Sequence, residues 1–238
     1  MKISTDHYER TCPESEIYNS LLSLDDKNIL ELGCGRGELT RAIAEAGHGR
    51  QVVALEVDEV QHMKNLEVTD LPNVSFKLAG MQGLPEAGES FDVVFMFKSL
   101  HHVPATLMQK GFEEVHRVLK PGGYAYISEP IFAGNFNEIL RLFHDEERVR
   151  QAAFQAEQAA VNAGLFKLVS QTFFKSPMAF ECFSEFEEKV IGVTHTDHQL
   201  SPELHEQVRT RFMQFSNEAG ARFEMPIRVD LLQKPLDH

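Results

Sequence analysis

The sequence predicts an α/β fold: a doubly wound, mostly parallel sheet with helices on both faces. Three observations carry that expectation. Short apolar runs alternate with helical patterns across residues 26–130. The first run, "NILEL" (28–32), ends directly on the glycine-rich stretch "GCGRG" (33–37). Each later run is set off by turn residues rather than by a long linker.

The elements follow in order. Residues 28–32 read as a buried strand. Leu39, Ala42, Ile43 and Ala46 then recur at helical spacing, with Gly47 placed to end the helix at its C′ position. "QVVALE" (51–56) is a second strand. Asp58, three residues before Gln61, suits the cap of the next helix. "VSFKL" (74–78) and "FDVVFMF" (91–97) are the third and fourth strands. Leu107, Met108, Gly111, Phe112, Val115, Val118 and Leu119 form one helical stripe, "KPGG" (120–123) turns the chain, and "YAYIS" (124–128) is a fifth strand.

The second half predicts helix over 136–163, a strand at 165–174, two helical stretches within 178–218 and a last strand at 223–234. Ser201 and Pro202 fit the N-cap and N1 positions of the later helix. That makes seven strands in a single domain spanning 1–238. Its core is 26–130, and 136–163 and 178–218 are helical insertions expected to form a lid over a pocket.

Composition narrows the partners. Hydrophobic residues make up 42% and charged residues 25%, as in ordinary globular proteins. The net charge of −13 disfavours a broad grip on nucleic acid or an anionic membrane. Three scattered cysteines form no CxxC pair, which suits a reducing compartment and argues against a disulfide framework or structural zinc. The stretch "MKISTDHYERTCPES" has no apolar signal core, and no segment has the roughly 20 apolar residues of a membrane span. The expectation is a cytoplasmic protein. Its oligomeric state is not written in the sequence.

Glycines between a strand and a helix let a ligand approach the backbone at the helix N-terminus. The spacing is not that of a dinucleotide site. In either register the third glycine of GxGxxG falls on Glu38 or Thr40, and Glu38 would repel a pyrophosphate. The pattern is instead Glu31-x-Gly33-x-Gly35-x-Gly37, with a carboxylate suited to a cationic amino-acid head.

With these residues the chain resembles the class I S-adenosylmethionine-dependent methyltransferases. "ILELGCGRG" is similar to the family's first motif, and Glu56 in "VVALEVD" matches the acidic residue that holds the ribose hydroxyls. "GLPEAGESFDVVFMFKSLHHVP" (83–104) and "EEVHRVLKPGGYAYISEP" (113–130) resemble the stretches around the fourth and fifth strands. The resemblance implies a Rossmann-like sheet, S-adenosyl-L-methionine as cofactor and S-adenosyl-L-homocysteine as product. It implies a cofactor-binding set of Glu31, Gly33, Cys34, Gly35, Glu56, Val57, Met81, Gln82, Phe97 and Tyr8. Tyr8 would cover the methionine end and Met81 would pack on the adenine. One position departs: Gly80 stands where the family usually has an acidic residue facing the adenine amino group. That contact then falls to a backbone carbonyl or to Gln82.

The acceptor side is expected at the fourth-strand edge, where ligands of open α/β sheets collect. Lys98, His101 and His102 lie there. A histidine would serve as base for a hydroxyl or protonated amine acceptor. For a carboxylate or thiolate no base is needed, and Lys98 would orient the anion. Lys98 either snorkels to solvent or faces Glu129 or the substrate. Cys34 reads as a loop filler. "THTDHQL" (194–200) brings His195, Asp197 and His198 close together, as a lid loop over the substrate or a plain surface loop. Further ligands are not indicated there, so no metal is expected. The function implied is methyl transfer to a small apolar or anionic molecule. A protein or RNA acceptor, or a non-catalytic cofactor-binding role, are the alternatives.

Overall fold

A computed structural model describes residues 1–193 and 198–236. The sheet order is β3-β2-β1-β4-β5-β8-β6. Its strands are β1 (Asn28–Leu32), β2 (Gln51–Glu56), β3 (Val74–Leu78), β4 (Phe91–Phe97), β5 (Leu119–Pro130), β6 (Lys167–Phe180) and β8 (Gly220–Gln233); a two-residue β7 (Ser216–Asn217) pairs with β8 alone. β1 to β5 pair in parallel, and β8 runs antiparallel to both β5 and β6.

The central strands are mostly apolar because both faces are covered. Leu30 and Leu32 of β1, with Val94 and Met96 of β4, face a cluster with Met108, Phe112 and Val115 of α4 (Ala105–Val118). Ile29, Val93, Phe95 and Phe97 point the other way. They meet Ile43 of α2 (Glu38–Glu45) and Ile17 and Tyr18 of α1 (Glu14–Leu21). The period of two is thus hidden in sequence but intact in space. α1 carries no prediction from sequence, yet it buries Tyr18 in an aromatic group with Phe95, Phe97 and Tyr126.

The expected caps form. Asp58 accepts from the amides of Val60 and Gln61 at the start of α3 (Glu59–Asn65), and Ser201 accepts from Leu204 at the start of α8 (Pro202–Met213). Gly47 takes a positive φ of 83° just past the end of α2.

Three boundaries differ from expectation. "KPGG" is not a separate turn. β5 begins at Leu119, and the pairing jumps from Phe91↔Leu119 to Val93↔Tyr124, so the glycines loop out of a continuing strand. The helix expected over 136–163 is broken into α5 (Asn135–Leu140) and α6 (Glu147–Asn162). β6 runs on to Phe180, so residues 178–180 are strand rather than the start of a helix. Only then come α7 (Phe183–Phe186) and a π-turn (Glu187–Ile191). Residues 175–180 pair with 221–226. This ribbon carries the aromatic cluster of Phe136, Phe180, Phe183, Phe186, Phe212 and Phe223.

Candidate functional site

The glycine loop leaves β1 held from two sides. Gly33 and Cys34 donate to the Leu55 carbonyl at 2.8 and 2.9 Å, which ties the loop to β2. Ser99, just after β4, donates its hydroxyl to the Leu32 carbonyl at 2.7 Å. Gly33 has φ +72°, and a Cβ there would stand 2.7 Å from the Ser99 Cβ, so only glycine fits. Gly35, at φ +54°, differs: a Cβ there would meet nothing within 4 Å. The loop is closed at Gly33 and open at Gly35, which makes a cradle for a ligand.

Glu56 ends β2 beside this cradle and is buried. Its Oε2 accepts from the Gly35 amide at 2.7 Å, and its Oε1 accepts from Val57 and Asp58 at 2.7 and 2.9 Å. Three amides fix the carboxylate and leave one lone-pair direction on Oε2. Val57 lies exposed beside it. Sequence reasoning missed Asn65 of α3, which donates to the Gly35 carbonyl at 2.8 Å and accepts from Gln61 at 2.8 Å. Asn65 is a buried polar residue on a helix whose exposed face is apolar, and that inverted pattern was the available signal.

Glu31 is buried beneath the loop and accepts from the Thr40 hydroxyl at 2.6 Å. Burial pushes its carboxyl up to about 7. Thr40 and Lys98 oppose the rise and Glu56 adds to it. Burial also drives the Cys34 thiol far up, with Glu31 and Glu56 contributing, so Cys34 is inert as a nucleophile.

Beyond β3, the Gln82 amide lies over Gly80: a Cβ at Gly80 would fall 2.6 Å from its Oε1. Gln82 therefore occupies the space where an acidic side chain at position 80 would begin. Met81 departs from expectation. It is buried against Gly111 of α4, where a Cβ would be 2.6 Å from its sulfur, so its side chain belongs to the core. Phe97 likewise packs inward, stacked on Phe95 at 4.9 Å. Tyr8 rests on Lys175 of the edge strand β6, with the ammonium 5.6 Å from its ring centroid, four strands away from β1. These three were expected around the cofactor; the core and the far edge hold their side chains instead.

At the edge of β4, Lys98 takes a positive φ of 54°, uncommon for a residue with a side chain. Its ammonium lies 3.8 Å from Glu14 of α1 and is about one-third exposed (34%). Glu14, not Glu129, is its partner; the other Glu14 oxygen accepts from the Tyr126 hydroxyl at 2.8 Å. Glu129 is committed to the turn Leu100–His102. It accepts from the Leu100 amide at 2.9 Å and holds His101 Nδ1 at 2.6 Å. The other face of His101 meets Glu146, the residue before α6, with Nε2 3.4 Å from Oε1. Burial alone would depress the imidazole, but Glu129 and Glu146 outweigh it and push His101 up to about 9. His101 links two carboxylates that favour its protonated form, which disfavours a general-base role at neutral pH.

His102 is exposed next to it, the two rings 4.1 Å apart. Glu146 is also met by His144 Nε2 at 2.9 Å, while Arg150 holds its second oxygen at 2.5 Å. His198 packs edge-on against His144 with centroids 4.7 Å apart. His195 and Asp197 lie outside the described residues. The aromatic residues between 174 and 186 divide: Phe174 belongs to the core with Tyr126, whereas Phe180, Phe183 and Phe186 pack with one another.

Comparisons with known proteins agree with this geometry. Residues 29–123 match the model of a methyltransferase domain family. A demethylmenaquinone methyltransferase of Chlorobaculum parvum is 27% identical over 57% of this chain and 54% of its own length. A ubiquinone biosynthesis O-methyltransferase of Coxiella burnetii is 28% identical over 45% of each chain. The chain thus spans about half the length of these curated relatives. The crystal structure of the YcgJ protein of Bacillus subtilis shares the fold, with a TM-score of 0.64 at 16% identity over 94% of this chain and 98% of that one. The matched segment runs from the glycine loop through the edges of β2 and β4, and together with these relatives it supports a class I S-adenosylmethionine-dependent methyltransferase.

Proposed function

We propose that the chain transfers a methyl group from S-adenosylmethionine to a small apolar or anionic molecule. The observation that carries this reading is the open cradle at Gly35 with the amide-held Glu56 carboxylate beside it. When bound, S-adenosylmethionine supplies a methyl carbon activated by its sulfonium. Glu56 receives the ribose hydroxyls, which compete with the Gly35 amide for Oε2. Glu31 supplies negative charge under the loop for the cationic amino-acid end. Gln82 or the backbone at 80–82 receives the adenine amino group.

The protein's part in the displacement is alignment and the exclusion of water. Lys98 stands at the carboxyl edge of β4, one-third exposed (34%) and loosely paired, so an anionic acceptor can draw it from Glu14. His101, already protonated, contributes no base. The reading therefore favours an acceptor that is anionic or made so by something other than this imidazole. The relatives named for demethylmenaquinone and for ubiquinone biosynthesis support a small-molecule acceptor.

The test follows S-adenosylhomocysteine formation with panels of anionic and neutral acceptors. Lys98→Met should raise KM for an anionic acceptor by about tenfold or more, the worth of one charge-assisted hydrogen bond. Turnover unchanged by this variant would remove Lys98 from the acceptor site.

A further inference from the structure

The turn after β4 and the start of α6 bring together three groups that sequence spacing never linked. One ligand atom from each of His101, His102 and Glu146 lies within 4.8 Å of the others. We propose that these residues bind a borderline divalent metal ion of the zinc type.

The geometry supports it at two levels. His101 Nε2 and Glu146 Oε1 are 3.4 Å apart. Two ligands at about 2.05 Å from a tetrahedral ion stand about 3.3 Å apart. The pair is thus already at ligand-to-ligand spacing. Each is also held from behind. His101 Nδ1 bonds to Glu129 at 2.6 Å, the carboxylate–histidine arrangement that fixes the tautomer and aims the other nitrogen at a metal. Arg150 occupies Glu146 Oε2, and Oε1 faces His101 Nε2. Arg150 is itself fixed by Asn137 and the Ile131 carbonyl. His144 reaches the same Oε1 at 2.9 Å and orients it further.

Two imidazoles and one carboxylate suit zinc or a neighbouring transition metal rather than calcium or magnesium. Binding exchanges the His101 Nε2 proton, released to solvent, for the ion. Three protein ligands leave an open coordination position, the arrangement of catalytic rather than structural zinc. That position lies at the β4–β5 edge and suits an acceptor oxygen, which the ion would hold as the anion. This use rests on the methyl-transfer reading; the cation site itself does not.

The test is metal binding, independent of turnover. Full-length protein is stripped with a chelator, then titrated with zinc chloride by calorimetry and with cobalt(II) by visible absorption. One equivalent should bind, with the intense d–d bands of low-coordinate cobalt. His102→Ala, at an exposed position that leaves the fold intact, should weaken zinc binding by at least roughly tenfold, the minimum cost of disturbing a designed site. Glu146→Gln should do the same, with circular dichroism reporting its fold. His48→Ala is the control, since exposed His48 lies beside Asp25 and Asp26 at 3.3 and 3.4 Å, a histidine–carboxylate group outside the proposed site. Binding that survives His102→Ala, binding lost in His48→Ala, or no saturable binding would each overturn the site. Metal binding without methyl transfer would leave the site standing and remove its proposed use.

Discussion

On the proposed reading, one buried carboxyl, Glu31, couples cofactor binding to pH. Its folded value of about 7 lies above the ordinary 4.5 because burial disfavours the charge. Its contribution to stability is therefore fully present below about 4.5 and is lost as pH rises through about 7. A cationic amino-acid head prefers the ionised form, so cofactor affinity should rise with pH between 6 and 8. Glu31→Gln should flatten that dependence in calorimetry and stabilise the free protein more at pH 8 than at pH 5. A pH profile unchanged by the variant would separate Glu31 from the cofactor. Gly80 makes a second case. An aspartate there must displace only the flexible Gln82 amide. Gly80→Asp should fold with an unchanged Tm and bind the cofactor at least as well as the wild type; a drop in Tm would show that the space over Gly80 cannot open. Both residues, and Gln82, were singled out from sequence, but Thr40 and Asn65 took up their roles only through the fold.

The elements best read from sequence were those with a single physical requirement. β1, β2 and β4 are mostly apolar runs because both faces are buried, and their ends are marked by Gly33, Glu56 and Lys98. β6 was read short because its outer part answers to no such rule. Only Phe180 is buried among residues 175–180, and Pro177 argues against a strand unless that strand is an edge. β6 is an edge strand, paired along its length to β8 and touched on its other side by a single bridge between Thr11 and Lys175, so the proline is tolerated. The ribbon then stands on its own aromatic cluster. Phe186 is fully buried against Phe136, Phe180, Phe183 and Phe212. Phe186→Ala should destabilise this region by about 3–5 kcal/mol, as large-to-small changes do in packed cores. Hydrogen exchange should show protection falling in residues 176–186 and 202–223, with β1 and β4 unaffected. Protection lost equally in β1 would mean that the lid and the sheet open as one unit.

At the scale of the molecule, the order β3-β2-β1-β4-β5-β8-β6 gathers the ends of β1, β2 and β4 along one edge. That edge draws residues 31, 35, 56, 98 and 101 from three separate stretches of chain. The half proposed to hold the cofactor was legible because it is local: a loop, a strand end and a turn, each with its own residue pattern. The acceptor half was not, because its defining contacts are distant in sequence. Lys98 finds Glu14 of α1, and His101 is shared between Glu129 and Glu146. No periodicity announces such pairs.

The central claim is that S-adenosylmethionine binds at the Gly35 cradle through Glu56. Calorimetric titration of wild type and Glu56→Ala tests it directly. Loss of a charge-assisted hydrogen bond costs about 1.5–3 kcal/mol, so the variant should bind at least about tenfold more weakly while keeping its circular dichroism spectrum. A folded Glu56→Ala protein that binds S-adenosylmethionine as tightly as the wild type would contradict the account.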